Sequence, residues 1–194
     1  MNTREILEMI NGTSLLKVME GFGKLVQERI ESGYEAYLLS FMFRPLRGSQ
    51  AHIHQKMHDA VCRAYATCVT RVHRYPNSKN GKAQQLIWLV VPDRPVPKHA
   101  RKQAWEVKLN GGVHMHAIAL VPPYHRMKVP LDVHLNEQQA LYAQGDLMRL
   151  HSVYIDRTAE KATDYAFKSV ARHTVDYDDI IILPRTQNEM PGKE

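Results

Sequence analysis

Cysteine is nearly absent from this chain: Cys62 and Cys68 are the only two in 194 residues. Six apart in one helical stretch, they supply neither a disulfide framework nor the paired spacing of a zinc site. Long apolar runs are missing as well. The longest, Leu86 to Val91 and Ile180 to Leu183, fall far short of the roughly 20 residues that a membrane span needs. The first residues, Met-Asn-Thr-Arg-Glu, lack the charged-then-apolar pattern of a secretory signal. No internal repeat and no low-complexity tract stands out. Acidic residues are in the minority, 20 against 26 Lys and Arg, giving a net charge of +6. That balance suits a phosphate-rich partner and equally a solvated basic surface. These absences lead to the expectation of a reduced, cytoplasmic protein with no membrane partner, built as one domain with an extension.

What is present has the patterning of a mixed fold. Leu15, Val18, Met19, Phe22, Leu25, Val26 and Ile30 recur at helical spacing over 14–31, between Asn11-Gly12 and Gly33. Residues 36–43 form an apolar strand ended by Arg44-Pro45. A helix is predicted over 50–73, with Ile53, Met57, Val61, Ala64, Cys68 and Val72 on one stripe. Strands are predicted over 85–91, stopped by Pro92, then over 104–109 and 113–121 around Asn110-Gly111-Gly112. Residues 134–149 read as helix, 150–156 as strand, 158–172 as helix and 180–183 as a short last strand. Three strands in succession exclude a purely parallel βαβ series. The expected class is α+β, a mostly antiparallel sheet with helices packed on it. The expected division is an N-terminal helical extension over 1–33, a domain over 34–184 and a frayed tail over 185–194.

The most informative stretch is Val113-His114-Met115-His116-Ala117. Side chains alternate along a strand, so His114 and His116 share a face, about 7 Å apart. Two imidazoles so placed can chelate one metal ion, and the same pattern fits two core histidines capped by polar neighbours. A metal in transfer chemistry usually adds a carboxylate to its imidazoles. Glu106 is the one acid on the expected hairpin partner. A two-residue loop turns Glu106 to the wrong face. A three-residue loop, with Gly112 in the left-handed position, sets Glu106 opposite His116. Glu106 is therefore the expected third ligand, against the alternative of a solvated carboxylate paired with a lysine.

Tyr165 and Lys168, three apart in the helical stretch 163–172, share one face. A tyrosine hydroxyl can attack a phosphodiester once a cation offsets the phosphate charge. The pair equally fits a core-edge tyrosine with a lysine reaching to solvent. His54 and His58, one turn apart, form a second histidine pair without a following Glu, so the zinc-protease pattern is absent and a polar helix face is expected. Asp176, Asp178 and Asp179 read as a solvated turn, and Tyr177 beside them is a reserve nucleophile.

Taken together, His114-Met115-His116, the apolar strand Tyr37 to Phe43 before it and the Tyr165/Lys168 pair about fifty residues after it resemble the HUH endonuclease superfamily. The likeness spans about 36–172 and is to the single-tyrosine type of rolling-circle replication initiator. It implies a five-stranded antiparallel sheet related to the ferredoxin-like and RNA-recognition folds. It implies Mg²⁺ or Mn²⁺ held by His114, His116 and a third polar residue, and Tyr165 as the nucleophile with Lys168 on the phosphate. It also implies single-stranded or hairpin-extruded origin DNA as substrate, nicked and rejoined through a 5′-phosphotyrosine, with unwinding left to a separate helicase. Candidate phosphate contacts are Arg44, Arg47, Arg71, Arg74, Lys98, Arg101, Lys102, Arg126 and Lys128, each equally a solvated charge. A relaxase or transposase of the same superfamily, and a non-catalytic single-strand-binding module, are the alternatives. Exposed aromatic platforms for base stacking, which the latter needs, are not evident on the histidine strand.

Overall fold

The computed structural model describes residues 3–78, 84–93, 110, 113–155 and 179–185, with the side chains of 3–16 outside the description. Its elements are α1 (Thr3–Glu31), β1 (Glu35–Phe43), α2 (Gln50–Val72), β2 (Ile87–Asp93), β3 (His114–Val121), α3 (Leu131–Glu137), α4 (Gln139–Tyr142), β4 (Leu147–Tyr154) and β5 (Ile181–Leu183). The five strands form one sheet in the order β4-β1-β3-β2-β5. Every neighbouring pair is antiparallel. β1 and β2 both run against β3, hence parallel to each other, and α2 makes the crossover between them. The expected α+β class with a five-stranded antiparallel sheet and flanking helices is what the chain adopts.

The two faces of the sheet are covered by different helices. Tyr37, Leu39, Phe41, Trp88, Val90, Met115, Ala117 and Ala119 face α2, α3 and α4 and form the larger core. Trp88 is its centre, fully buried, with Phe41 and Tyr65 set edge-on at 5.7 and 5.3 Å between ring centroids. Tyr65 also donates its hydroxyl to the Leu86 carbonyl at 2.7 Å, which docks α2 onto the start of β2. The alternate positions, Ala36, Leu89, Val91, Ile118 and Leu120, pack under α1 through Met19, Phe22, Leu25, Val26 and Ile30. The second half of α1 is thus a layer of the molecule.

Several boundaries differ from expectation. α1 begins at Thr3 and runs through Asn11-Gly12. A glycine inside a helix costs only about 1 kcal/mol, too little to stop one already nucleated. One helix was expected over 134–149. Two short helices end at Tyr142 instead, Gly145 turns the chain with φ of +56°, and β4 starts at Leu147. Pro92 does not stop β2. Strand β5 pairs only with Trp88, Leu89 and Val90, so Pro92 sits where its missing N–H breaks no ladder with β5.

The expected hairpin pairing of β3 is not found. Both edges of β3 are taken, by β1 along Met115–Val121 and by β2 along His114–Leu120. The positions beside His116 belong to Ser40 and Val91, not to Glu106. Residues 104–109, Glu106 among them, and 158–172 lie outside the described residues.

Asn110 anchors the approach to β3. It is buried with φ of +54°, a left-handed conformation that asparagine tolerates better than most residues. Its Oδ1 accepts from the Leu46 N–H at 2.6 Å and its Nδ2 donates to the Arg44 carbonyl at 2.9 Å. One side chain thereby ties the loop after β1 to the chain entering β3. Asn110→Ala removes both bonds and strains the backbone. The expected cost is about 2 kcal/mol, a fall of roughly 4–8 °C in Tm for a chain of this size. Thermal unfolding followed by circular dichroism checks it, and an unchanged Tm would refute the anchoring role.

Candidate metal centre

On the α1-facing side of the sheet, the last residues of β2 and the first of β3 are polar. Asp93 is the cross-strand partner of His114. His116, two residues on, lies on the same face. Asp93 Oδ2 stands 3.3 Å from His114 Nε2 and 3.6 Å from His116 Nε2. One ligand atom from each residue lies within 4.8 Å of the other two. The imidazole rings meet edge to face, 4.9 Å apart at 83°. These three form the one such group of metal-type donors among the described residues.

Two members of the group are withdrawn from water. Asp93 is 2% exposed and the His116 side chain 7%. A carboxylate so far from water must be offset by positive charge or hydrogen bonds. The His114 side chain remains 37% exposed, which leaves the group open on one side. Two neutral imidazoles and one carboxylate with an open side can hold a divalent ion while leaving positions for substrate.

Asp93 lies just past Pro92, where the linear pattern predicts the strand to stop, so that pattern alone does not point to it. The signal was present: Ile87, Leu89, Val91 and Asp93 alternate on one face. The acid lies one step beyond the last apolar residue of that face. What decides its role is the pairing of β2 with β3.

Among the described residues, α1 covers one half of the sheet face around the group. α1 packs over Leu89, Val91, Ile118 and Leu120. Towards the other end, Met42 is 42% exposed. On β4 the register places Arg149 beside Met42 and His151 beside Ser40. Both are exposed and share this face. They extend the polar rows that begin at His114 and His116 across two strand spacings, about 10 Å. Arg149 and His151 are the basic groups the linear sequence did not single out.

The expected phosphate contacts are divided between the two ends of the sheet. Arg44 and Arg47 follow β1 at the end that carries the triad, and both are exposed. Arg44 Nε also donates to the Gly145 carbonyl at 3.0 Å. Arg71 and Arg74 lie at the far end of α2. Arg126 and Lys128 follow the far end of β3, with the Arg126 N–H on the Val72 carbonyl. That end is about 23 Å from the triad by strand rise, so these four do not surround the metal group. Lys98, Arg101 and Lys102 lie outside the described residues.

Among the described residues, the second histidine pair belongs to no group of three metal-type donors. His58 contacts Asp59 at 3.3 Å and the Arg185 guanidinium. With His54 it lines a cleft of about 230 Å³ against Pro92 and Met115, on the opposite face of the sheet. Asp179 lines the same cleft; Asp176, Tyr177 and Asp178 lie outside the described residues.

Seven of the nine tyrosines are described, and none lies at the triad. Tyr37, Tyr65 and Tyr142 are on the α2-facing side, where burial pushes their hydroxyls well above the usual phenol range. Tyr34, Tyr75, Tyr124 and Tyr154 stand at the far end of the sheet, Tyr154 edge-on to Tyr37 at 5.3 Å. Tyr165, Lys168 and Tyr177 lie outside the described residues. No helix among the described residues is long and apolar enough to cross a membrane.

No known protein family, curated protein or solved structure matches this chain.

If Asp93, His114 and His116 bind one ion, Mn²⁺ at a hundred times its Kd stabilises the fold by about 2.7 kcal/mol, or roughly 5–10 °C in Tm. Asp93→Ala and His116→Ala are expected to abolish that shift and Glu106→Gln to preserve it. A shift retained in Asp93→Ala, or lost in Glu106→Gln, would exchange the roles of the two carboxylates. Differential scanning fluorimetry across a metal titration reads all three.

Proposed function

We propose that this protein is a metal-dependent nuclease and strand transferase acting on single-stranded or hairpin-extruded DNA, in the manner of a cytoplasmic rolling-circle initiator. The observation that carries it is the convergence of Asp93 Oδ2, His114 Nε2 and His116 Nε2 on the open part of a sheet face. The order of His-hydrophobic-His strand and downstream tyrosine adds the resemblance to HUH endonucleases. An extended, polar, half-open face suits a polymer better than a small molecule, which would call for an enclosed cavity. Arg149 and His151 would take neighbouring phosphates of the strand.

Asp93, His114 and His116 would hold Mn²⁺ or Mg²⁺. Such an ion, when bound, draws charge from a non-bridging oxygen of the scissile phosphate. Because two donors are imidazoles, Mn²⁺ is expected to bind more tightly than Mg²⁺, which prefers an all-oxygen shell. Tyr165 is the proposed nucleophile. Its Oη bonds to phosphorus as the P–O3′ bond breaks, its proton passes to solvent or a base, and the 3′-oxygen leaves and is protonated. The products are a 5′-phosphotyrosine and a free 3′-hydroxyl, and the reverse attack rejoins the strand without ATP. Lys168, one turn on, would offset phosphate charge. The positions of the described tyrosines favour this choice, since the three on the opposite face are buried or half-buried and the others are remote from the triad.

Covalent capture tests the proposal. The protein is incubated with a labelled single-stranded DNA pool and Mn²⁺, denatured and resolved by gel. A metal-dependent adduct that disappears in Tyr165→Phe, Asp93→Ala and His114→Ala is the expected outcome. An adduct surviving in Tyr165→Phe would move the nucleophile to Tyr177. Binding of DNA without any adduct would replace the nuclease by a single-strand-binding module.

A further inference from the structure

We infer that Ser40 is a positioning residue of the metal centre, which selects the tautomer of His116 and thereby the nitrogen that meets the ion. The inference rests on the metal-binding role proposed for Asp93, His114 and His116.

Ser40 sits in β1 directly beside His116 in the register, half-buried and on the same sheet face. His116 Nδ1 lies 3.0 Å from Ser40 Oγ and 3.3 Å from the Leu39 carbonyl oxygen. A carbonyl oxygen can only accept, so the nitrogen facing it must carry the hydrogen. His116 Nδ1 therefore carries a hydrogen and donates it to the Leu39 carbonyl and to the Ser40 hydroxyl oxygen. In the neutral ring the nitrogen that can bind an ion is then Nε2, the atom directed at Asp93 Oδ2. A metal-bound histidine is commonly held in this way, its other nitrogen donating to a fixed acceptor.

The hydroxyl has a second effect, on ring orientation. The bond to Leu39 alone is the longer of the two, and an imidazole rotated by half a turn about its Cβ–Cγ bond would carry Nε2 off the shared focus. Ser40 Oγ gives Nδ1–H a nearer acceptor in the correct orientation only. Buried between β1, β2 and β3, His116 has no solvent to substitute for that acceptor. His114, more exposed, does not need the same support to reach the ion.

Two nearly isosteric substitutions separate the hydroxyl from the shape of the side chain. Ser40→Thr keeps the oxygen, and Ser40→Val replaces it with a methyl group. Mn²⁺ affinity, measured by titration calorimetry and by the paramagnetic resonance of free Mn²⁺, is expected to be near wild type in Ser40→Thr. In Ser40→Val it should be weaker by roughly 10–100-fold. Equal affinities in the two variants would overturn the role of Ser40 while leaving the metal centre intact. A wild-type protein that binds no Mn²⁺ would overturn the metal centre and this inference together. Should Ser40→Val fail to fold, long-range ¹H–¹⁵N spectra of the metal-free wild type decide the matter. An Nδ1–H resonance for His116 is expected, and an Nε2–H resonance would refute the assignment.

Discussion

The antiparallel register between β2 and β3 is the constraint on which the candidate site depends. It sets Asp93 opposite His114 and, on the same face, Val91 opposite His116 and Leu89 opposite Ile118. Because strand side chains alternate, a slip of one residue would turn Asp93 into the core beneath α2 and set Pro92 or Arg94 opposite His114 in its place. The apolar residues forbid that slip. Leu89, Val91, Ile118 and Leu120 must meet Phe22, Leu25 and Val26 of α1, while Trp88 must meet Phe41 and Tyr65 on the other face. Hydrophobic packing over one half of the sheet thus holds three polar groups together on the other half. None of those groups needs to contribute to folding for the arrangement to persist.

The division of the sheet faces follows from the same packing. The α2-facing side is closed from end to end by α2, α3 and α4, and its core residues are almost all buried. Among the described residues, the α1-facing side is closed where α1 crosses it. Beyond that point β1 and β4 present Ser40, Met42, Arg149 and His151 beside the histidines. Among the described residues, a buried carboxylate therefore stands next to an exposed polar stretch of the same sheet face. Basic residues at the far end of the sheet, Arg74, Arg126 and Lys128, stand about 23 Å from the triad by strand rise.

Antiparallel ladders also explain why the ligands come from two strands distant in sequence. Asp93 and His114 are separated by a connection of twenty residues, yet the ladder brings their cross-strand positions side by side. The third strand, β1, enters between β3 and β4 and lays Ser40 against His116. The site is assembled from three strand segments that become neighbours only when the sheet closes.

Periodicity alone determined a good deal of this protein. The alternation of His114 and His116, the apolar stripe from Ile53 to Val72, and strands near 36–43 and 113–121 are local patterns. They depend on the repeat of each element and were legible residue by residue. Strand adjacency was not. The glycines after Asn110 suggested a hairpin and pointed to Glu106, whereas in the sheet the edges of β3 belong to β1 and β2. Pro92 looked like a terminator and hid Asp93, because whether a proline interrupts a strand depends on which edge another strand occupies. Ser40, Arg149 and His151 carry no signal of their own along the chain. Their place beside the histidines follows from register across non-consecutive strands, and burial and long-range pairing, which no local window contains, decide that register.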